Sequence, residues 1–330
     1  MQQQGTFCDF PGGDSWVILS PIEQSIKRKI EAVGTPLKEW DINIYRGVLT
    51  GYNEAFIIST EKRDEILANC KTEDERKRTA ELIRPILRGR DIKRYGYEWA
   101  NLYLIATFPA RHYDIEKYPA VKKYLLSFAY DYLLANGNEW VANSYLSEFC
   151  KQKLAQTGQY VTINDKYILD DKGNREKSRK KTSNKWFETQ DSISYWEDFY
   201  KPKIVYPNMT KYLPFCFDEE GFLTNQKCFI ITGEHTAFLT AFLNSSIFKF
   251  CFRDSFPELQ GGTRELSKIF FDSIPVLKVN DEQEQTFRAA LKDIQCHYSE
   301  EKAIAIDKMI FDAYHLDDDD VRVIGYIKIE

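Results

Sequence analysis

The chain has 330 residues, of which 43% are hydrophobic and 15% aromatic, enough to bury at least one large core. It contains no run of about twenty uninterrupted apolar residues, and Met1–Gly5 lack the basic start and apolar stretch of a signal peptide, so we expect a cytoplasmic protein with no membrane partner. The net charge of −5 argues against a uniformly basic nucleic-acid binder but permits a local basic face.

Cysteine and histidine patterns give no sign of a metal centre. The seven cysteines never form a Cys-x-x-Cys pair, and the four histidines lie far apart in the sequence. Zinc sites require such residues at close, regular spacing. We therefore expect reduced cysteines and no metal site.

The first half of the chain predicts helices and strands in irregular alternation. Apolar residues from Ile22 to Val33 recur at helical spacing and predict a helix that ends at Gly34. After a turn-rich segment, the patterns predict the following elements: a strand over 55–58, one or two amphipathic helices over 61–84, a strand over 102–106 and a helix over 115–134.

The second half begins with a polar, basic segment over 151–185, which we interpret as a hairpin-like insertion with a strand at 160–163 and a mobile tip. Further elements follow in this order: strands over 203–206 and 228–231, an apolar helix over 238–248, helical periodicity over 281–315, and a helix N-terminus at the acidic residues 317–320.

This irregular order favours a mixed α/β (α+β) fold over a doubly wound parallel sheet. We expect a twisted β-sheet with flanking helices. The predicted division is a linker helix region over 1–39, a main domain over 40–278 and a C-terminal helical segment over 279–330.

Motifs for catalysis are missing from the sequence. There is no glycine-rich cofactor turn, and Tyr206-Pro207-Asn208 resembles the Asn-Pro-Pro-Tyr element of adenine methyltransferases only in scrambled order, as a turn after a strand also would. Asp91-Ile92-Lys93 has the local spacing of a nuclease core, but no Pro-Asp dipeptide occurs. We predict no catalytic residue in this chain.

Two segments pair arginine with glycine. In the segment 45–56, Arg46, Thr50 and Asn53 can donate hydrogen bonds to phosphates or base edges, and the segment 83–95 is dense in guanidinium groups. From the residues alone, each pattern suits a turn with solvated charges slightly better than a DNA contact.

These two segments, with four further matches in the same order, resemble the TaqI-like C-terminal specificity domain of Type IIG restriction-modification enzymes and adenine-N6 DNA methyltransferases. The resemblance spans Trp40 to Val276, and residues 306–316 are similar to the ends of these enzymes. The further matches are Lys201–Pro207, Leu239–Ser245, Gly261–Leu266 and Ile274-Pro275.

The resemblance implies that the chain recognises specific sequences in double-stranded DNA. It also implies that the catalytic part, which would bind S-adenosylmethionine and flip the adenine, is absent from this chain and is a covalently linked or associated methyltransferase domain. We therefore expect no cofactor and no activity in this chain alone. The parent enzyme would be an adenine-specific DNA methyltransferase, with or without endonuclease activity.

Eleven polar residues in the matching segments are candidate DNA contacts under this interpretation. They are Arg46, Thr50, Asn53, Arg88, Arg90, Lys93, Arg94, Lys203, Lys211, Thr263 and Arg264.

Two alternative functions remain open from the sequence. One is a complete metal-dependent nuclease whose carboxylates, Asp91 among them, are dispersed along the chain. The other is a protein-interaction scaffold that docks on a methyltransferase subunit, which an exposed apolar patch without a connected basic face would support.

Overall fold

The computed structural model describes residues 20–126, 128, 162–163, 168–169 and 183–327. The centre of the predicted insertion, 171–174, and the end of the predicted helix over 115–134 lie outside these residues.

The first described helix, α1 (Pro21–Val33), forms where the apolar periodicity predicts it. Ser20 caps its N-terminus through a reciprocal capping box with Glu23, and the chain leaves the helix at Gly34. Ile26 and Ile30 are completely buried. This helix packs beside the two-stranded pairing of β1 (Thr35–Pro36) with β14 (Pro275–Val276), which ties the start of the chain to a distant segment.

A four-stranded antiparallel sheet, here called the central sheet, lies in the middle of the fold. Its strands are β2 (Ile42–Arg46), β8 (Lys203–Pro207), β10 (Cys216–Asp218) and β12 (Cys228–Gly233). Their order in the sheet is β10-β8-β12-β2. The predictions over 203–206 and 228–231 are confirmed by β8 and β12.

A second four-stranded sheet, the side sheet, consists of β3 (Ile57–Ser59), β4 (Ile83–Leu87), β5 (Leu102–Ile105) and β11 (Leu223–Thr224). Its strand order is β11-β4-β5-β3, with β11 parallel to β4 and the other pairs antiparallel. The prediction over 102–106 is confirmed by β5. The prediction over 55–58 was wrong at its start, because residues 55 and 56 belong to a short helix before β3.

Helices flank the side sheet. The sequence predicts one or two helices over 61–84, and the structure has two. The last residues of this region, 83 and 84, belong to strand β4. The predicted helix over 115–134 begins with a 3-10 turn at Ile115–Lys117. The helices are α2 (Asn53–Phe56), α3 (Thr60–Ala68), α4 (Glu73–Leu82) and α5 (Pro119–Leu126).

Two short antiparallel pairs complete the strands. One joins β9 (Met209–Thr210) to β13 (Arg264–Glu265). The other joins β6 (Thr162–Ile163) to β7 (Ile168–Leu169), in the segment predicted as a hairpin-like insertion.

The second half of the chain supplies the remaining described helices. The apolar helix predicted over 238–248 is two helices that meet at Asn244-Ser245, and the periodicity over 281–315 also forms two. The acidic residues 317–320 start the last helix, as predicted, with Asp317 as its N-cap. The helices are α6 (Thr236–Leu243), α7 (Ser246–Phe252), α8 (Lys268–Phe271), α9 (Asp281–Cys296), α10 (Glu300–Ala313) and α11 (Asp318–Ile324).

Strand β8 of the central sheet is buried on both faces. Along β8, Ile204 and Tyr206 point into a first core shared with α1, α6, α7, α9 and α10, whereas Val205 points into a second core shared with the side sheet. Because successive strand residues face opposite sides, a strand between two cores is expected to be apolar almost throughout, as β8 is after Lys203. The mixed α/β prediction is confirmed. The proposed boundaries at residues 39 and 278 stay a prediction, although Ile30 and Tyr314 belong to the same core.

Candidate nucleic-acid interface

A large cleft opens beside the ends of β4, β8 and α9. Its lining comes mainly from four segments, within 88–98, 207–214, 225–227 and 294–298. Its volume is about 1650 Å³, above the roughly 300–1,000 Å³ typical of small-molecule pockets. The size suits an extended ligand better than a single metabolite.

The cleft is strongly basic, although the chain as a whole is acidic. Seven cationic side chains line it, against the two carboxylates of Glu54 and Glu98. An excess of one charge sign in a concave surface focuses the electrostatic field and attracts a polyanion. The cations are Arg88, Arg90, Lys93, Arg94, Lys211, Lys227 and Lys249.

The turn after β4 is fixed by Arg88 and Asp91. Asp91 accepts hydrogen bonds from the backbone N–H of Arg88 at 2.8 Å and from its Nη2 at 2.7 Å. This hydrogen bonding raises the pKa of Arg88 above its ordinary value. The pair closes a 3-10 turn in which Arg90 is exposed and faces the cleft. Arg88 thus shapes the wall, while Arg90 is available to a ligand.

Arg94 anchors the next part of this wall to the helices. Its Nε and Nη2 donate to the carbonyl oxygen of Asn244 at 3.2 and 2.9 Å. Nη2 also lies 3.8 Å from the buried carboxylate of Asp307, whose pKa is raised by burial. Its neighbour Lys93 is exposed and pairs with Glu98 at 3.3 Å. Arg94 therefore has a structural role beside its place in the cleft.

A second part of the wall is the turn after β8 and the residues before β12. The backbone N–H of Asn208 donates to the carbonyl oxygen of Lys227 at 2.8 Å, which holds the two segments side by side. Lys211 and Lys227 are exposed on this wall. Among the residues that the structure describes, Arg90, Lys211 and Lys227 have no ion-pair partner, so their charges are available to a ligand.

Aromatic side chains accompany these cations. Tyr212, next to Lys211, is 72% exposed at the cleft and can stack against a ligand. Tyr97 also lines the cleft, and burial raises its pKa to about 12.

Six of the eleven predicted contacts lie in this cleft, although they come from segments up to 158 residues apart, between positions 53 and 211. They are Asn53, Arg88, Arg90, Lys93, Arg94 and Lys211.

Lys203 was a wrong prediction. It is completely buried in β8, where its ammonium donates to the carboxylate of Asp218 and to the carbonyl oxygen of Phe199. Burial lowers the pKa of Lys203. The lysine stabilises the interior of the fold and is inaccessible to DNA.

Arg264 and Thr50 were also wrong predictions. Arg264 is 7% exposed, and its guanidinium donates to the carbonyl oxygen of Phe256 and to the carboxylates of Asp254 and Glu258. Thr50 is 1% exposed and donates to Oδ1 of Asn53 at 2.7 Å. Both residues hold local turns together.

Arg46 and Thr263 lie outside the cleft. Arg46 is exposed at the end of β2, where its Nε donates to the carbonyl oxygen of Gln226 at 3.2 Å. The glycine after it, Gly47, is required by packing, because a Cβ there would lie 2.1 Å from the carbonyl oxygen of Asn225. Thr263 follows a turn with positive φ at its two glycines and donates to the carbonyl oxygen of Gln260.

Sequence reasoning missed several polar residues of the cleft, among them Asn208, Lys227 and Lys249. Lys227 lies in a turn between two predicted strands, and Lys249 lies on a helix that the sequence predicts as core. Asn208 was interpreted as part of a simple turn. A usable signal was present, because Asn208 and Lys211 both lie within five residues of the end of the predicted strand over 203–206.

The described residues contain no group of three or more His, Cys, Asp or Glu side chains arranged to hold a metal ion. Asp91, the carboxylate of the nuclease alternative, is 4% exposed and hydrogen-bonded to Arg88 through both oxygens. Within the same ranges, no helix has the length and apolar character needed to cross a bilayer.

Comparison with curated proteins found no match. Two solved structures are similar in part. The type IIG restriction endonuclease BpuSI has a TM-score of 0.49 and 13% identity, over 90% of this chain. The Type IIL restriction-modification enzyme MmeI, in complex with DNA, has a TM-score of 0.46 and 11% identity, over 86% of this chain. The match covers 34% of each of these chains, so this chain spans about a third of their length.

A family comparison matches residues 84–276, which is more than half of the chain and includes the cleft residues between positions 88 and 227. The match begins later than the resemblance inferred from Trp40, and it ends at the same residue. By this match, the chain belongs to the family of TaqI-like C-terminal specificity domains.

Proposed function

We propose that this chain recognises the DNA target of a restriction-modification enzyme, and that duplex DNA binds along the basic cleft. The observation that carries the proposal is the convergence of seven cations from distant segments on one concave surface, three of them without an ion-pair partner in the described structure. Lysine and arginine side chains bind phosphates with release of counterions, and this supplies most of the affinity for DNA of any sequence.

Membership in the specificity-domain family supports the assignment of DNA as the polyanion. The connected basic cleft also favours this function over the scaffold alternative, which calls for an apolar patch without such a face. The occupied carboxylate of Asp91 disfavours the nuclease alternative at that position.

The proposal extends to the parent enzyme. We propose that its methyltransferase part modifies adenine with S-adenosylmethionine, and that this part is covalently linked to the chain or associated with it. A glycine-rich cofactor loop and a flipped-base pocket would lie in that part. Incubation of the chain with the methyltransferase part, labelled S-adenosylmethionine and duplex DNA should give methylated adenine, whereas the chain alone should give none. Equal methylation without the chain would contradict this partnership.

Charge reversal in the cleft tests the DNA-binding proposal. Arg90→Glu and Lys227→Glu should each weaken the mobility shift of duplex DNA at least 10-fold, because each removes an attraction and adds a repulsion to phosphate. Lys38→Glu is the matched control, since Lys38 is exposed outside the cleft. Equal binding by all three variants would contradict the assignment of the cleft.

A further inference from the structure

Asn208 lies in the cleft with its backbone held by hydrogen bonds and its side-chain amide without a hydrogen bond to any described residue. Its N–H donates to the carbonyl oxygen of Lys227, and its own carbonyl oxygen accepts from the N–H of Leu266, both at 2.8 Å. The residue before it, Pro207, is buried and paired with Cys228 in the central sheet. The Cα of Asn208 is therefore held from two sides by ordered segments.

The side-chain amide of Asn208, in contrast, makes no hydrogen bond with any described residue. Its Oδ1 is also out of contact with solvent. A polar atom in this state is destabilising in the free protein, and a ligand that supplies a partner removes the penalty. Because Oδ1 has no exposed surface in the free protein, a contact through both ends of the amide requires the side chain to rotate about χ1 and χ2, of which χ2 is broad for asparagine.

The other amides of the cleft already have partners. Asn53 accepts from Thr50, and Asn225 accepts from the N–H of Lys227. Gln295 donates to the carbonyl oxygens of Tyr95 and Phe217. Asn208 is thus distinguished from these neighbours by a held backbone and a side-chain amide without a partner among the described residues.

The surroundings of Asn208 suit a base edge presented by a duplex. The unpaired cations Arg90, Lys211 and Lys227 line the same cleft and can bind phosphates of the same duplex. An amide offers one donor and one acceptor, and adenine presents the complementary N7 acceptor and N6 donor in the major groove. Guanine presents two acceptors there and cannot pair with both ends of an amide.

We propose that Asn208 reads an adenine of the target sequence by accepting from N6 and donating to N7. This inference rests on the proposed function of the cleft in DNA recognition. It names the residue that distinguishes one base, whereas the surrounding cations contact any sequence alike.

The test is enrichment of duplexes from a randomised pool by the 330-residue chain and by three variants. Asn208→Ala should lose discrimination at one adenine position by about 5- to 150-fold, and keep the other positions. Asn208→Asp should change that position from adenine to cytosine, because a carboxylate only accepts and cytosine offers an N4 donor. Asn43→Ala is the control, since Asn43 is exposed on β2 in a separate cavity. It should enrich the same sequence as the unmodified chain.

Three outcomes overturn the inference. If both Asn208 variants enrich the unmodified chain's sequence with unchanged discrimination, Asn208 does not read a base, and the proposed function stands. If the unmodified chain retains duplexes without sequence preference, base reading fails while DNA binding stands. If it retains no duplex at low salt, the proposed function fails as well.

Discussion

Arg88 and Asp91 form a two-point ion pair across a single turn, with Nη2 of Arg88 2.7 Å from Oδ1 of Asp91 and Nε 3.0 Å from Oδ2. The pair orders the wall of the cleft on which Arg90 is exposed. It also explains why Arg88 and Arg90, which are two positions apart, have different roles. Arg88 is held by Asp91, whereas Arg90 is available to a ligand.

Asp91→Ala should destabilise the protein by about 1–3 kcal/mol, because it leaves the guanidinium and the backbone N–H of Arg88 without their acceptor. Urea unfolding measures this effect. Magnesium should not alter it, since the carboxylate is engaged by arginine. A variant of unchanged stability that loses magnesium-dependent cleavage of plasmid DNA would support the nuclease alternative instead.

Lys203→Met should cost about 3–5 kcal/mol of the free energy of unfolding, since it leaves the carboxylate of Asp218 buried without its cation. Thermal or chemical unfolding would detect the loss. Lys93→Met is the control, because Lys93 and Glu98 are both exposed and their ion pair should contribute little. Equal stabilities of the two variants would mean that the Lys203 pair is not buried.

Asn244→Ala should destabilise the junction of α6 and α7. The amide of Asn244 accepts from the N–H of Phe215 and donates to its carbonyl oxygen. Truncation leaves the buried N–H of Phe215 unsatisfied, whereas the carbonyl oxygen keeps the N–H of Tyr95 as a donor. The expected cost is about 1–3 kcal/mol for the unsatisfied N–H. Chemical unfolding beside Asn43→Ala, which removes an exposed amide, provides the comparison. A cost no larger than that of Asn43→Ala would contradict these contacts.

Tyr195→Phe should change the pH dependence of stability. Burial raises the pKa of Tyr195 from 10.0 to about 12, and its hydroxyl donates to the carbonyl oxygen of Arg46 at 2.7 Å. Because the folded protein holds this proton more tightly, the contribution is fully present below pH 10 and is lost as pH rises through about 12.

The stability difference between the unmodified chain and Tyr195→Phe should therefore shrink steadily above pH 10. Urea unfolding at several pH values between 8 and roughly 11.5 measures it, and other tyrosines cancel because both proteins contain them. A difference independent of pH would contradict the raised pKa.

Strong local patterns predicted much of the fold. Helix α1 and strands β8 and β12 were found because their periodicity and length depend on neighbouring residues only. The breaks at Asn244-Ser245 and near residue 298 were missed, since apolar spacing continues across each of them. Strand β2 was missed for a different reason: it is only partly buried and lies in a segment rich in turn residues.

The site was predicted only in part, because charge in a sequence does not reveal its partner in space. Lys203 and Arg264 have the composition of DNA contacts, but acidic residues 6 to 15 positions away engage them. For Lys203 a signal was available. The apolar run that follows it is typical of a strand buried on both faces, and a lysine within such a strand requires a buried partner.

The salt dependence of duplex binding tests the central claim, that the unpaired cations of the cleft bind phosphates. The affinities of the unmodified chain and of the triple variant Arg90→Gln, Lys211→Gln and Lys227→Gln would be measured from about 50 to 200 mM salt. The slope of log affinity against log salt should be shallower in the triple variant by about 0.9 for each phosphate contact removed, roughly 3 in all. Lys38→Gln should keep the unmodified slope. Parallel lines for the unmodified chain and the triple variant would contradict the account.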